Sequence, residues 1–333
     1  MAKAHVPLVE VTRGGFVESV HYGSIAVVNT AGELVYAAGD PSFMTFTRSA
    51  LKPLQALPFL RADGPARFGF GAREIALLCA SHSGEPMHTH LAQSILQRAG
   101  CDEQHLRCGC HVPSFYAALG RTPPFGEAYN QLHNNCSGKH AGFLAYCVQH
   151  DLPLETYLDP AHPLQQAIRA TVAQFAGVNA ADMPAGIDGC SAPNYAVSLA
   201  QLASVYARLA QGERDPEHGA ALGDIFTAMT TYPELVSGTA RLDAALMRTL
   251  PGDLVAKAGA EGVQAIGIRS AGLGIAVKAI DGNVRGLHAA VIALLNKLGL
   301  LPETTSLLAP WVQPKLSNVR GTEVGDVRAV AQW

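Results

Sequence analysis

The chain has 333 residues, of which 48% are hydrophobic and 15% charged, enough to bury a sizeable core without disulfides or metal ions. Its net charge is -3 and its lysines and arginines do not cluster, so nucleic acid and anionic membranes are not expected as partners. The first residues lack an apolar signal core, and no apolar run is long enough to span a membrane. With seven cysteines, an odd number, we expect a protein of the reducing cytoplasm.

Strand patterns occupy both ends of the chain and helical patterns occupy the middle. Alternating or apolar segments typical of strands lie at 8–12, 17–29, 34–38, 265–268 and 272–280. Helical periodicity is found at 73–80, 88–99, 139–151, 164–177, 195–211, 222–231 and 287–299. Asp281-Gly282 is typical of a hairpin turn leading to Val284-Arg285-Gly286. The tail, Thr304 to Trp333, has little periodicity before Val324.

This order of elements predicts the α/β class. We expect one antiparallel sheet formed from both ends of the chain, with a helical region inserted between them. The α/β part would comprise residues 1–60 and 255–333, and the mainly helical part about 61–254, together forming a single unit.

The pair Ser49 and Lys52 carries the clearest chemistry. A serine hydroxyl becomes a nucleophile when a base takes its proton, and positions three apart share one face of a helix. A helix beginning near Ser49 would disfavour charge on Lys52 and stabilise a nearby oxyanion. Among the seven lysines, only Lys52 follows a serine at this spacing. A capping serine at the start of a surface helix would give the same pattern.

A polar turn that contains two serines follows an apolar helix. Its sequence is Ser81-His82-Ser83-Gly84-Glu85, and such a glycine-containing turn brings hydroxyls and backbone N–H groups close to a ligand. An ordinary helix end with Gly84 in the left-handed conformation is the simpler explanation.

Two glycine-bounded loops each carry a cysteine before a predicted helix. They are Asn134-Asn135-Cys136-Ser137-Gly138-Lys139-His140 and Asp188-Gly189-Cys190-Ser191-Ala192-Pro193-Asn194. The cysteines are candidates for a metal site or a redox pair, although their spacing matches no local zinc pattern. By residue type alone His140 would be the third ligand. Small buried hydrophobes are the simpler explanation of such cysteines.

A lysine at the glycine-rich edge of a predicted strand is the fourth candidate for a functional residue group. It is Lys257 in Val255-Ala256-Lys257-Ala258-Gly259-Ala260-Glu261-Gly262. A Ser-x-x-Lys followed far downstream by Lys-x-Gly resembles the order found in serine β-lactamases and penicillin-binding proteins.

Taken together, five segments resemble the Rhizobium-etli-type, thermolabile class 3 L-asparaginases. The segments are 48–53, 81–85, 135–142, 188–194 and 257–262, and the resemblance runs from about residue 6 to 300. It implies a fold like that of serine β-lactamases and glutaminases, a homodimer, and hydrolysis of L-asparagine to L-aspartate and ammonia. Where family members often have Gly-Thr-Gly-Arg, this chain has Gly238-Thr239-Ala240-Arg241.

The resemblance also implies roles for particular residues. Two serine–lysine dyads would be Ser49 with Lys52 and Ser81 with Lys257. One zinc ion per chain would be held by Cys136, Lys139 and Cys190. It would lie next to the substrate pocket and would not be required for the bond-breaking step. The substrate pocket would be lined by Arg48, His82, Asn135 and Asp188.

Three other classes of protein remain compatible with the sequence. The nearest is another serine–lysine amidohydrolase, such as a glutaminase or a β-lactam-reactive protein. A non-catalytic amino-acid-binding protein would keep the pocket without turnover. A thiol redox or metal-sensing protein would use Cys108, Cys110, Cys136 and Cys190, but would leave the Ser49–Lys52 spacing unexplained.

Overall fold

The computed structural model describes residues 4–303, 306–330 and 332–333. Of the tail considered above, Thr304, Thr305 and Ala331 lie outside the described residues. The strands are β1 (Val6–Arg13), β2 (Phe16–Asn29), β3 (Leu34–Ala38), β4 (Met44–Phe46), β5 (Ala185–Ile187), β6 (Pro193–Ser198), β7 (Leu254–Gly259), β8 (Val263–Ile268), β9 (Leu273–Ala279), β10 (Lys315–Ser317) and β11 (Glu323–Ala329).

The helices lie mainly between β4 and β7. They are α1 (Lys52–Arg61), α2 (Gly64–Phe68), α3 (Ala72–Leu78), α4 (Pro86–Arg98), α5 (Phe115–Ala118), α6 (Ser137–Gln149), α7 (Pro163–Ala176), α8 (Leu199–Gln211), α9 (Gly219–Thr231), α10 (Pro233–Ser237), α11 (Leu242–Thr249), α12 (Val284–Lys297) and α13 (Ala309–Val312). No helix in the described part of the chain combines the length and apolar character needed to cross a membrane.

The chain forms two compact units. The first, here called the sheet unit, comprises Met1–Ala50, Val197–Ala210 and Ala245–Trp333. The second, the helical unit, comprises Leu51–Ala196 and Gln211–Ala244. The organisation as one β-lactamase-like unit with boundaries near 60 and 254 stays a prediction.

In the sheet unit, the first and last strands of the chain share one sheet. Its order is β10-β11-β1-β2-β9-β8-β7, with β3 also paired to β2, and every pairing is antiparallel. The predicted mixed α/β class and the antiparallel sheet built from both ends of the chain are confirmed. Helix α12 packs on β1, β9 and β11.

In the helical unit, α1, α3, α4, α6, α7 and α9 pack against one another around apolar faces. Helix α6 contacts α1, α3 and α4, and Gly138 and Gly142 allow this approach because a Cβ there would meet Leu77 or Leu78. A small hairpin of β5 and the first four residues of β6, 193–196, belongs to the same unit, with Ile187 opposite Pro193. The turn of this hairpin carries Asp188 and Cys190, and Ser191 has a positive φ of 68°.

Two predicted elements are wrong. The helix expected at 195–211 begins only at Leu199, because Ser198 and Gln201 form reciprocal side-chain-to-backbone hydrogen bonds of 3.2 and 2.8 Å, a capping box. Buried aromatic and β-branched residues before it belong to β6. The hairpin expected at Asp281-Gly282 is instead the entry to α12, because the Asn283 side chain accepts from the backbone N–H of Arg285.

Candidate active site

A buried lysine begins helix α1 and reaches a second serine. A 3-10 turn, Arg48–Leu51, carries Ser49 and leads directly into α1, whose first residue is Lys52. The amine of Lys52 lies 2.9 Å from Ser81 Oγ, 2.5 Å from the Ala80 carbonyl oxygen and 3.4 Å from the Asn135 carbonyl oxygen. Ser81 follows α3 and is only partly buried. The structure therefore brings Lys52 and Ser81 together within the helical unit.

This arrangement suits a general base. An uncharged amine has two hydrogens and one lone pair. The two carbonyl oxygens, of Ala80 and Asn135, can accept those hydrogens, which leaves the lone pair for the Ser81 hydroxyl. In the charged form, the third N–H instead donates to Ser81 Oγ. One geometry thus serves both protonation states, which proton transfer requires.

The turn that follows Ser81 is fixed by side chains within it. His82 is buried and uses both ring nitrogens, one near Ser137 Oγ at 2.9 Å and one accepting from the Gly84 N–H at 3.2 Å. Ser83 Oγ donates to Glu85 Oε1 at 2.7 Å, and the Thr239 N–H reaches the same oxygen at 3.2 Å. Ser83 and Glu85 thereby join this turn to the Gly238-Thr239 segment.

The two predicted cysteine loops also meet. Cys136 precedes α6, Lys139 lies in its first turn, and Cys190 lies in the β5–β6 turn. Lys139 Nζ is 3.0 Å from Cys190 Sγ. A hydrogen bond from Cys136, and then the Lys139 charge, lowers the pKa of Cys190, whereas that hydrogen bond and burial raise the pKa of Cys136. Negative charge in this pair of thiols is therefore favoured on Cys190.

The charge on Cys190 also accounts for Lys139. Burial alone would lower the pKa of this lysine, but the negative charge of Cys190 outweighs burial and raises it. The two side chains form a buried ion pair, which is the condition under which buried charges are tolerated. Asp188, in the same turn as Cys190, adds a smaller attraction to Lys139, and its carboxylate accepts from the Gly189 N–H at 2.8 Å.

The donor set can be tested against the zinc ion that the resemblance implies. No group of three or more histidine, cysteine, aspartate or glutamate side chains in the described ranges is arranged to hold a metal. A zinc site here would therefore need the Lys139 amine beside the two sulfurs. Sulfur and nitrogen are the ligands that zinc prefers, and a neutral amine supplies the lone pair. Cys136, Lys139 and Cys190 fit zinc on this chemistry once the metal displaces the proton that Lys139 holds in its ion pair with Cys190.

Next to these residues lies a histidine with one unused nitrogen. His140 Nδ1 is 2.6 Å from the Tyr157 hydroxyl, which also accepts from the Arg107 N–H at 2.9 Å. His140 Nε2 is buried and has no hydrogen bond of ordinary geometry in the described part of the chain. Burial lowers the pKa of this imidazole, and the nearby Cys190 acts in the opposite direction and raises it.

Other predicted site residues lie in the sheet unit. Arg48 has a positive φ of 49°, and its guanidinium lies 4.0 Å from Glu261 in the β7–β8 turn. A Cβ at Gly259 would meet the carbonyl oxygen of Thr47, so β7 approaches the turn that carries Ser49. Lys257 on β7 is buried, and its amine donates to the Ala258 carbonyl oxygen at 2.8 Å. The pairings of Ser49 with Lys52 and of Ser81 with Lys257 stay predictions.

Some residues that support the site were missed in the sequence. Tyr157, which contacts His140, lies in a segment without a motif, and only the fold brings it there. Ser137, by contrast, stands inside the quoted cysteine loop, where its position before a helix was an available signal. Asn134 caps that loop, because its Oδ1 accepts from the Cys136 N–H at 2.9 Å.

A lysine and a serine in contact lie beside a buried cluster of sulfur and nitrogen, an arrangement in which the amine can take the proton of the hydroxyl. The family model described as L-asparaginase II matches residues 9–329. The chain belongs to the L-asparaginase II family. The curated proteins include no match to it.

Several solved structures are similar to this chain, at low identity. Mglu in its native form is 14% identical, with a TM-score of 0.47, over 85% of this chain and 66% of the Mglu chain. Mglu in its glutamate form is 16% identical, with a TM-score of 0.45, over 86% of this chain and 63% of the other. A beta-lactamase from Mycobacterium bovis is 15% identical, with a TM-score of 0.33, over 83% and 94%. This chain spans less than two thirds of these two Mglu chains.

Proposed function

We propose that the protein is an L-asparaginase that hydrolyses L-asparagine to L-aspartate and ammonia through serine–lysine catalysis. Membership of the L-asparaginase II family supports the activity. The observation that carries the proton-transfer steps is the contact of Lys52 Nζ with Ser81 Oγ and two carbonyl oxygens, and the Ser49–Lys52 sequence spacing supports Ser49 as the nucleophile. The sequence motifs support the finer assignment to the Rhizobium-etli-type class 3 subgroup, with its β-lactamase-like fold.

In the proposed reaction, uncharged Lys52 accepts the proton of Ser49, whose oxygen attacks the side-chain carbonyl carbon of asparagine. Backbone N–H groups, including that of Ser49, stabilise the oxyanion. The proton then passes from Lys52 through the Ser81 hydroxyl to the departing nitrogen, and ammonia leaves. A water molecule, deprotonated by the same lysine, cleaves the β-aspartyl ester and returns Ser49 to its starting state.

Other residues are assigned to the substrate and to the second lysine. The resemblance supports Arg48, Asn135 and Asp188 as residues of the substrate pocket, and Lys257 as a second base paired with Ser81. Charge complementarity supports Arg48 and Asp188, since asparagine carries both an α-carboxylate and an α-ammonium group.

The nucleophile can be identified by trapping the ester. Turnover of L-asparagine is quenched in acid, and the digested protein is searched by mass spectrometry for a β-aspartyl group on the peptide containing Ser49 or Ser81. We expect the adduct on Ser49, no ammonia release from Ser49→Ala, and a folded variant by circular dichroism. An adduct on Ser81 would exchange the roles of the two serines.

The substrate is tested in the same assay. We expect ammonia from L-asparagine at a much higher kcat/KM than from L-glutamine. Preference for glutamine would make the protein a glutaminase. Binding of asparagine without ammonia would make it an amino-acid-binding protein.

We also propose that Cys136, Lys139 and Cys190 hold one zinc ion per chain. When bound, zinc supplies positive charge that orients the polar groups of the substrate. Zinc content measured by mass spectrometry should fall below about 0.1 per chain in Cys136→Ser and Cys190→Ser, since a structural site needs its full ligand set. Cys147→Ser, a buried cysteine of the same helix α6, is the control and should keep its zinc. Retention of metal by both ligand variants would reject this ligand set.

The homodimer that the resemblance implies is part of the same proposal. Light scattering coupled to gel filtration measures the mass directly, and a mass near twice 35.0 kDa is expected.

A further inference from the structure

The hydrogen bonds around His82 fix its protonation state. Its Nε2 lies 2.9 Å from Ser137 Oγ, and this hydroxyl already donates its one hydrogen to the Leu132 carbonyl oxygen, also at 2.9 Å. The imidazole must therefore be the donor, with its hydrogen on Nε2. The other nitrogen, Nδ1, accepts from the Gly84 N–H at 3.2 Å and so carries a lone pair. His82 is a neutral imidazole with both nitrogens used.

A second neutral histidine is stacked on it. The rings of His82 and His88 are 4.9 Å apart and nearly parallel, at 10°. His88 Nδ1 accepts from the Glu85 N–H at 3.1 Å, and its Nε2 donates to the Glu234 carbonyl oxygen at 2.9 Å. A proton added to Nδ1 of either ring would break a hydrogen bond.

The electrostatic surroundings agree with this assignment. Burial lowers the pKa of His82 well below its usual range, and the neighbouring His88, Lys52, His111 and His133 lower it further. The pKa of His88 is also lowered by burial, although Glu85 raises it somewhat.

The bonds of His82 hold the backbone on both sides of the proposed proton path. The His82 N–H donates to the Asn135 carbonyl oxygen at 3.2 Å, the same oxygen that Lys52 approaches. The Ser81 N–H donates to the Val236 carbonyl oxygen at 2.8 Å. The ring of His82 then ties this turn to Ser137, the first residue of α6. The hydrogen bonds of His82, the next residue in the sequence, thus help to fix the position of Ser81.

We propose that His82 is a positioning residue, which holds Ser81 Oγ against the Lys52 amine by bridging Gly84 and Ser137. This inference rests on the proposed hydrolase function. It differs from the substrate contact implied by the resemblance, because a substrate contact needs a free ring nitrogen and His82 has none. Misplacement of a catalytic group by about 1 Å can cost on the order of 10²-fold in rate.

The kinetic test compares two variants of His82. His82→Leu keeps apolar volume and removes both hydrogen bonds, and should lower kcat for L-asparagine about 10²-fold with KM within about twofold. His82→Gln can return an amide N–H toward Ser137, and should recover most of kcat. A rise in KM at unchanged kcat would identify a substrate contact and overturn the proposal. Unchanged kinetics in His82→Leu would overturn it too.

A matched control separates positioning from folding. His162 is another buried histidine of the helical unit; its Nε2 donates to the Pro153 carbonyl oxygen, and its Nδ1 caps the Leu164 N–H. His162→Leu should lower stability and leave kcat per folded molecule unchanged. If it lowers kcat as much as His82→Leu does, the effect at His82 is only structural.

A spectroscopic measurement needs no activity. In ¹⁵N-labelled protein, the imidazole signals lost in His82→Gln belong to His82. They should report hydrogen on Nε2 only, with no titration between about pH 5 and pH 8, where ordinary histidines change charge. A charged or Nδ1–H form in this range would overturn the proposal whatever the kinetic results. Absence of ammonia release from the unaltered protein would instead reject the proposed function.

Discussion

The side chain of Lys52 both fills a buried position in the fold and supplies the proposed general base. Its amine is surrounded by Ala80 and Asn135 carbonyl oxygens and the Ser81 hydroxyl, which replace the water that an exposed lysine would keep. Such oxygens satisfy the hydrogens of the amine, so the residue is tolerated while buried. A side chain of similar length without donors would fill the space and remove the proton acceptor.

Lys52→Met should therefore lower kcat by at least about 10²-fold, the usual contribution of a general base. Ammonia release and far-ultraviolet circular dichroism measure activity and folding on one sample. Lys315→Met, at an exposed lysine of β10, is the control and should keep full activity. A folded Lys52→Met enzyme with unaltered kcat would show that proton transfer does not pass through this amine.

The ion pair of Lys139 and Cys190 has a separate energetic signature. Removal of one partner of a buried pair leaves the other charge without compensation, which costs about 3 kcal/mol. In the presence of a chelator, Cys190→Ala should lower the free energy of unfolding by this amount in urea. Adding Lys139→Met should restore more than half of the loss, since no charge is then buried alone. Equal or additive losses in the double variant would show that the two groups are not charged.

Among the elements, the contact of α8 with the sheet depends on two glycines. Gly267 on β8 and Gly274 on β9 are direct cross-strand partners. A Cβ at Gly274 would overlap the Ala203 carbonyl oxygen, and one at Gly267 would overlap the Tyr206 carbonyl oxygen. The helix backbone can lie this close only because both positions lack a side chain.

Gly274→Ala should lower the free energy of unfolding by about 1–3 kcal/mol, because α8 must move away from β9. Chemical denaturation of the two proteins measures the difference. Gly71→Ala is the control, since a Cβ there has only Glu74 Oε2 in contact, at 3.6 Å, and its cost should stay below about 1 kcal/mol. A similar, small effect at both positions would mean that α8 is not held at this distance.

A comparison of predicted with observed elements shows which of them the sequence pattern identifies. The apolar segments 17–29 and 272–280 predict strands that the structure contains, because apolar runs rich in β-branched residues and bounded by turn residues are typical of strands. Pro193–Ser198 has the composition of a strand but runs directly into helix α8. The sequence pattern therefore extends the predicted helix over the apolar residues of this strand. Only the Ser198 and Gln201 pair marked the true start.

The prediction of a hairpin at Asp281-Gly282 is wrong for a related reason. Asp-Gly favours a tight turn but does not say which element follows it, and Asn283 supplies the helix cap. A hairpin does form two connections earlier, between β7 and β8, where Glu261 and Gly262 have φ values of 61° and 69°. Within the site, the motifs named the residues, but the contact of Lys52 with Ser81 depends on α1 and α3 packing and is not encoded in local spacing.

For the whole molecule, the sheet depends on strands from opposite ends of the chain. Strand β1 lies between β2 and β11, with Val9 opposite Ala329, and Val327 is fully buried. The side chain of Trp333 donates to the Leu8 carbonyl oxygen at 3.2 Å. Without β10 and β11, β1 would become an edge strand with unpaired backbone groups and an exposed apolar face, which promotes aggregation.

A variant that ends at Val312 should therefore melt at least about 5 °C lower and aggregate on heating, since a loss near 2 kcal/mol shifts Tm by this amount in a unit of this size. Scanning calorimetry and light scattering measure the two effects. Val319→Ser, in the fully exposed connection between β10 and β11, tests whether any change in this region has the same result, and it should leave Tm unaltered. An unchanged Tm in the shortened protein would mean that β1 is stable as an edge, and that β11 contributes nothing to the sheet it completes.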